Sequence, residues 1–193
     1  MKRTSILLAL IVLSALPAAA QTTEFGVMAG GSRRFVDGGT QEAGVELAES
    51  NFSLTNSVFE LYWAMQLEPE VYIKVKGGRI ETQIAVPYEV EVEGKPKLHR
   101  RDEEGEVQHA ELNVEYRFSE PYGRTGLFAG VGFYHQSAPD SDSSTNYGVN
   151  GGVNVDFPLS RRYGVLLEGT YHWTNSRFQS RYMTATAGVR VSF

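Results

Sequence analysis

The chain contains no cysteine. Disulfide frameworks, thiolate metal sites and cysteine nucleophiles are therefore excluded. A basic excess is also missing: 18 Lys and Arg stand against 23 Asp and Glu, a net charge of −5. That balance argues against nucleic-acid binding, which leaves a basic footprint. Beyond the extreme N-terminus, no apolar run approaches the roughly 20 residues that a membrane-spanning helix needs. Strong helical periodicity is absent, and only Glu42 to Glu49 has the makings of a helical turn, inside a loop. What remains is 193 residues that are 41% hydrophobic and 11% aromatic. This is too apolar for a disordered chain and long enough for one ordinary domain.

The first twenty residues read as a leader. Met1-Lys2-Arg3 is positive, Ile6 to Leu16 is apolar, and Pro17 precedes Ala18-Ala19-Ala20. A charged start, a short apolar middle and a small-residue cut site make a secretory signal peptide. The expected domains are thus a signal peptide, 1–20, and a mature domain, 21–193. The mature chain carries sixteen bases against twenty-three acids, a net charge of −7.

The mature chain alternates with a period of two, the mark of strands. Ala110, Leu112, Val114, Tyr116 and Phe118 share one face, and His109, Glu111, Asn113, Glu115 and Arg117 share the other. Eight such segments are predicted: 24–34, 57–67, 71–93, 106–118, 125–136, 147–158, 163–174 and 181–193. In the longest, apolar residues move from odd positions (Val71, Ile73, Val75) to even ones (Ile80, Thr82, Ile84, Val86). That change predicts a β-bulge at Gly77-Gly78. Pro87 predicts that the far end has left the regular ladder. The connections alternate too. Tight turns follow strands two, four and six, whereas 35–56, 94–105 and 137–146 are long loops and 175–180 is short.

Alternation alone does not orient the faces. A soluble barrel of lipocalin type turns its apolar face inward around a ligand. A transmembrane barrel turns it outward. Tight turns at one end and long loops at the other favour the membrane version. So does the placing of apolar-face aromatics near strand ends. Phe25, Phe118, Phe157, Tyr163 and Phe193 fall on the turn side, and Phe59, Phe133, Tyr147, Tyr171 and Trp173 toward the loops. These make two interfacial girdles. The expected fold is all-β: an eight-stranded antiparallel up-and-down transmembrane β-barrel.

The final stretch Thr186-Ala-Gly188-Val-Arg-Val191-Ser-Phe193 sets a polar residue, a glycine and alternating hydrophobics before a terminal aromatic. With the leader and the eight strands, it resembles the small eight-stranded outer-membrane barrels of Gram-negative bacteria, the OmpA/OmpX type. The resemblance covers the whole mature chain. It implies an outer-membrane location, and it implies that Thr186, Gly188, Val191 and Phe193 form the signal read by the barrel-assembly machinery. It also implies a monomer whose surroundings are outer-membrane lipid and lipopolysaccharide, with no nucleic-acid partner and no cofactor.

An interior this narrow is filled by side chains. Inward positions are predicted for Glu24, Glu60, Lys74, Lys76, Glu81, Glu111, Glu115, Arg117, Asp156, Glu168 and Arg190. Buried charges must pair, so the four bases are expected to bridge the acids. Lys95, Lys97, Arg100 and Arg101 lie in the second long loop, where they are candidates for lipopolysaccharide phosphates. Asp102, Glu103 and Glu104 follow and neutralise them in part. His172-Trp-Thr174-Asn175 faintly resembles the His-x-Ser-Asn stretch of outer-membrane lipid A deacylases, with Thr174 in place of serine. Asp140-Ser-Asp142-Ser-Ser144 mimics the start of a calcium loop without its glycine or distant glutamate. Neither carries a catalytic or metal assignment. The expected function is non-enzymatic: envelope integrity and loop-mediated surface contact. A narrow pore for small solutes or ions is the alternative, ahead of a lipid A-modifying enzyme or a soluble carrier.

Overall fold

The structure, a computed structural model, describes residues 22–35, 53–92, 95–139, 142–175 and 181–193. The side chains of 34–35, 53–55 and 83–103 fall outside that description. So do the leader at 1–20 and the helical turn expected at 42–49.

Eight strands follow one another: β1 (Thr23–Phe35), β2 (Ser53–Glu68), β3 (Val71–Val92), β4 (Lys95–Glu120), β5 (Gly123–Ser137), β6 (Ser144–Pro158), β7 (Tyr163–Thr174) and β8 (Arg181–Ser192). Each pairs antiparallel with its sequence neighbours, and β8 returns to β1, closing a barrel. Phe193 N donates to Thr23 O at 2.9 Å, so both described ends of the chain meet at the short-turn rim. A closed ladder satisfies the backbone within the sheet, which is what hydrocarbon requires.

The two faces separate as an inverted barrel demands. Leu112, Val153 and Val189 are 52%, 51% and 59% exposed, whereas Glu115 is fully buried and Arg190 only 4% exposed. All ten aromatics assigned to the two girdles are exposed on the outer wall. On β4 the outward apolar positions run from Ala110 to Phe118. At about 3.4 Å per residue this is about 27 Å of strand, and strand tilt brings it near the ~25 Å apolar band of such barrels.

Four sequence expectations change. First, β3 has no bulge at Gly77-Gly78. It pairs β4 without a shift from Val71↔Tyr116 to Val92↔Lys95, and β2 in step from Gln66↔Tyr72 to Val58↔Ile80. The register shifts fall instead at Gln66/Glu68 and Gly31/Ser32. Ile80 and Thr82 stay inside, because the lumen itself becomes apolar at that height. Second, Glu81 consequently points outward and is about half exposed, paired to Arg79 Nη2 at 2.8 Å.

Third, Pro87 sits within the ladder opposite Arg100. Arg117 N donates to Glu70 O, which marks even β3 positions as the hydrogen-bonded ones. Pro87, being odd, turns its nitrogen away from β4, and Pro96, opposite Glu91, turns its nitrogen away from β3. Neither proline removes a bond from this ladder. Fourth, of the loop expected at 94–105, residues 95–105 are strand. The β3–β4 hairpin climbs past Arg79 and Gln108 for about a dozen residues, or about 40 Å of strand. Lys95, Lys97, Arg100 and Arg101 therefore lie on β4 near the hairpin tip.

Glycines on the inner wall make room for rings that cross the lumen. A Cβ on Gly152 would stand 2.6 Å from Phe128 Cζ and 2.2 Å from Gly169 O, whereas one on Gly169 would meet nothing within 4 Å. Gly152→Ala should lower unfolding free energy by about 1–3 kcal/mol, and Gly169→Ala should stay within about 0.5 kcal/mol. Urea titration of the two variants in phospholipid vesicles would compare them.

Candidate functional site: the charged lumen

The lumen is a stack of interlocked charges, placed by strand parity. Even positions on β1, β2, β3, β5, β6, β7 and β8 point inward, and odd positions on β4 do so. Near the short-turn end, the Glu24 carboxylate accepts from Arg117 Nη1 at 2.7 Å and Arg124 Nη2 at 3.1 Å. Asp156 accepts from Arg190 Nε at 2.6 Å and Arg124 Nε at 2.8 Å. Arg117 Nε also reaches Glu115 Oε1 at 2.5 Å, while its guanidinium lies 3.8 Å over the Tyr72 ring. Planar, forked donors suit this layer, where one arginine bridges two acids.

Two lysines hold the middle. Lys74 Nζ bonds Glu168 Oε2 and stands 3.6 Å from Glu115 Oε2. Lys76 Nζ lies 3.0 Å from Glu168 Oε1, 3.3 Å from Glu60 Oε1 and 3.4 Å from Glu111 Oε2. Phe128 lies beneath both ammonium groups, at 4.7 and 5.7 Å to its centroid. These contacts offset a desolvation cost of several kcal/mol per ion.

Above them, Glu111 Oε1 lies 2.9 Å from His109 Nδ1 and 3.0 Å from His172 Nδ1, and accepts from Tyr134 OH at 3.1 Å. His172 Nε2 lies 3.3 Å from Thr184 Oγ1, and the ring stacks on Tyr182 at 4.5 Å. Val58, Ile80, Val107, Tyr134 and Tyr182 then close the top as an apolar cluster.

All nine residues expected to form the lumen network (Glu60, Lys74, Lys76, Glu111, Glu115, Arg117, Asp156, Glu168 and Arg190) are buried and in contact within it, and Glu24 joins them. Sequence reasoning missed Arg124, assigned to a turn, although it shares parity with inward Gly126 and Phe128. It also missed the rings of Phe128 and Tyr72. The assembly-signal residues lie on or just past β8. Thr186 is inward, Val191 is outward, and Phe193 packs edge-on to Phe25 at 6.2 Å. A Cβ on Gly188 would stand 2.1 Å from Val27 O.

The weaker motifs take other roles. His172 faces inward, its acid is Glu111 of β4, and its hydroxyl contacts are Thr184 and Tyr134, while Trp173 faces out. This buried base does not front the lipid side of the wall. Asp140 lies outside the described residues, and among the described residues no group of three or more His, Asp or Glu could hold a metal.

A closed, inverted, charge-filled barrel of eight strands is a transmembrane β-barrel of the outer-membrane class. The family model "Outer membrane protein beta-barrel domain" matches residues 5–193, and the chain belongs to that family. Among solved structures, a major outer membrane protein of Thermus thermophilus aligns with a TM-score of 0.61 at 12% identity, covering 91% of this chain and 100% of that one. The N-terminal β-barrel domain of Pseudomonas aeruginosa OprF gives 0.56 at 14% identity, covering 89% and 97%. Neisserial surface protein A gives 0.56 at 12% identity, covering 91% and 98%. At these identities the likeness is one of fold. No curated protein matches this sequence.

Proposed function

We propose that this protein is a non-enzymatic outer-membrane barrel that strengthens the envelope and presents a projecting hairpin for surface contact. The observation carrying this reading is the sealed lumen. Lys74, Lys76, Glu60 and Glu115 have no solvent-exposed surface, and each is locked to partners on other strands. Permeation of an ion would require these bridges to part in several layers at once. The narrow-pore reading therefore has less support than the structural one.

The β3–β4 hairpin supports the surface role. It outreaches the β5–β6 connection, whose last pair is Gln136↔Ser144. Near its tip, Lys95, Lys97, Arg100 and Arg101 offer cations to lipopolysaccharide phosphates, preceded in sequence by the acids Glu89, Glu91 and Glu93 and followed by Asp102, Glu103 and Glu104. Thr186, Gly188, Val191 and Phe193 serve as the segment engaged by the assembly machinery.

Planar-bilayer recording tests the central claim. Purified barrel should add no discrete conductance above the lipid background at moderate voltage. Regular single-channel steps from protein that is fully folded by gel mobility would reverse the order of the two readings.

A further inference from the structure

The short-turn end carries charges that the lumen network does not use, and they are unevenly distributed. Exposed Glu68, Glu70 and Glu120 lie around the β2–β3 and β4–β5 turns. Glu70 takes the Tyr116 hydroxyl, and Glu120 accepts from Thr125 Oγ1 at 3.2 Å. Across the rim, the β6–β7 turn carries Arg161 and Arg162, both exposed. Neither guanidinium pairs with an acid among the described residues, unlike those of Arg79, Arg117, Arg124 and Arg190.

This turn has a fixed backbone. Leu159 N and Ser160 N donate to Tyr163 O at 2.9 and 3.0 Å. Arg162 N and Tyr163 N donate to Ser160 Oγ at 3.3 and 3.1 Å. Ser192 N ties the turn to β8 by donating to Arg162 O at 2.7 Å. Leu159 is 71% exposed at the edge of the apolar wall, with exposed Phe157 and Tyr163 beside it. Two unpaired, permanently charged forks thus stand where hydrocarbon-facing surface gives way to the headgroup level.

We propose that the β6–β7 turn is a binding site for an anionic glycerophospholipid. Arg161 and Arg162 hold its phosphate, and the acyl chains lie along Phe157, Tyr163, Val165 and Val191. Charge complementarity selects the headgroup. A net anion gains from both guanidiniums, whereas a zwitterion brings its own ammonium to the same place. The acids at 68, 70 and 120 repel anionic headgroups from the β2–β3 and β4–β5 turns, so the preference is confined to the β6–β7 turn. Short turns of such barrels face the periplasm, which places the site in the phospholipid leaflet, away from lipopolysaccharide.

The test uses the full barrel, folded in nanodiscs of equal phosphatidylethanolamine and phosphatidylglycerol and then moved to mild detergent. Mass spectrometry quantifies the retained lipid. Wild type should retain phosphatidylglycerol preferentially. A surface-proximal basic residue contributes about fivefold in affinity, so Arg161→Gln with Arg162→Gln should lower the phosphatidylglycerol preference by about 25-fold. Glu68→Gln with Glu70→Gln should not lower that preference, since it only relieves repulsion of anionic headgroups elsewhere on the rim, and millimolar inorganic phosphate should not displace the lipid. An unchanged lipid ratio in the double arginine variant, still showing folded-barrel gel mobility, would overturn the proposal. Equal retention of both lipids by wild type would do the same, and displacement by phosphate would reduce the site to one for simple anions. Failure of wild type to show a heat-shifted band would count against the membrane barrel itself.

Discussion

Lys76→Met is expected to destabilise the barrel by about 3–5 kcal/mol, the cost of stripping a buried ion of its partner. Lys76 is the one ammonium within 3.4 Å of three described carboxylates, those of Glu60, Glu111 and Glu168. Its loss leaves Glu60 and Glu111 buried with two histidines as the remaining nearby nitrogen partners. Glu168→Gln should cost about half as much. It removes one acid from a lumen in which six carboxylates face five Lys and Arg side chains. Lys74 then retains Glu115, and Lys76 retains Glu60 and Glu111. Urea unfolding in phospholipid vesicles, followed by the fluorescence of Trp63 and Trp173, would give both values. A Lys76→Met loss equal to or smaller than that of Glu168→Gln would mean that the network is not organised around its cations. The same ordering should appear in folding yield, because the unpaired acids must enter the barrel during closure.

Much of this site is legible from parity alone. In a closed barrel the period-two alternation assigns each side chain to hydrocarbon or lumen, so Glu111, Glu115 and Arg117 could be grouped before any contact was known. Parity fails where polarity and direction part company. Ile80 and Thr82 face inward because the top of the lumen is an apolar plug with Val58, Val107 and Tyr182. An apolar inward residue looks like a slipped strand, and that appearance carried Glu81 to the wrong face. Proline misleads for a related reason. Whether it breaks a ladder depends on which side its nitrogen faces, and at Pro87 that follows from the pairing with β4. Arg124 was hidden by a boundary, since β5 begins at Gly123, two residues before the apolar run suggests. Pairings such as Glu24 with Arg117 link β1 to β4 across the axis, and no local pattern encodes them.

Val114→Arg should cost about 2–4 kcal/mol, and Gln108→Arg about 0–1 kcal/mol, in the same vesicle titration. The two positions share the outward face of β4 and differ in height. Val114 is the middle of the five outward apolar positions from Ala110 to Phe118, while Gln108 lies above them beside the Glu106 carboxylate, which its Nε2 contacts at 2.7 Å. Near the band's centre a guanidinium must stay in hydrocarbon or thin the bilayer around it, and its reach to the interface is longest from there. At 108 it meets water and an acid at once. A soluble barrel would show the opposite order of concern. An arginine at an exposed outer position would then be nearly neutral, whereas Lys76 and Glu115, at the positions of its ligand cavity, would tolerate apolar replacement. The contrast in height therefore tests the medium around the wall independently of the lumen. Equal costs at 114 and 108 would mean that this face does not meet lipid, whatever the burial of the charges inside.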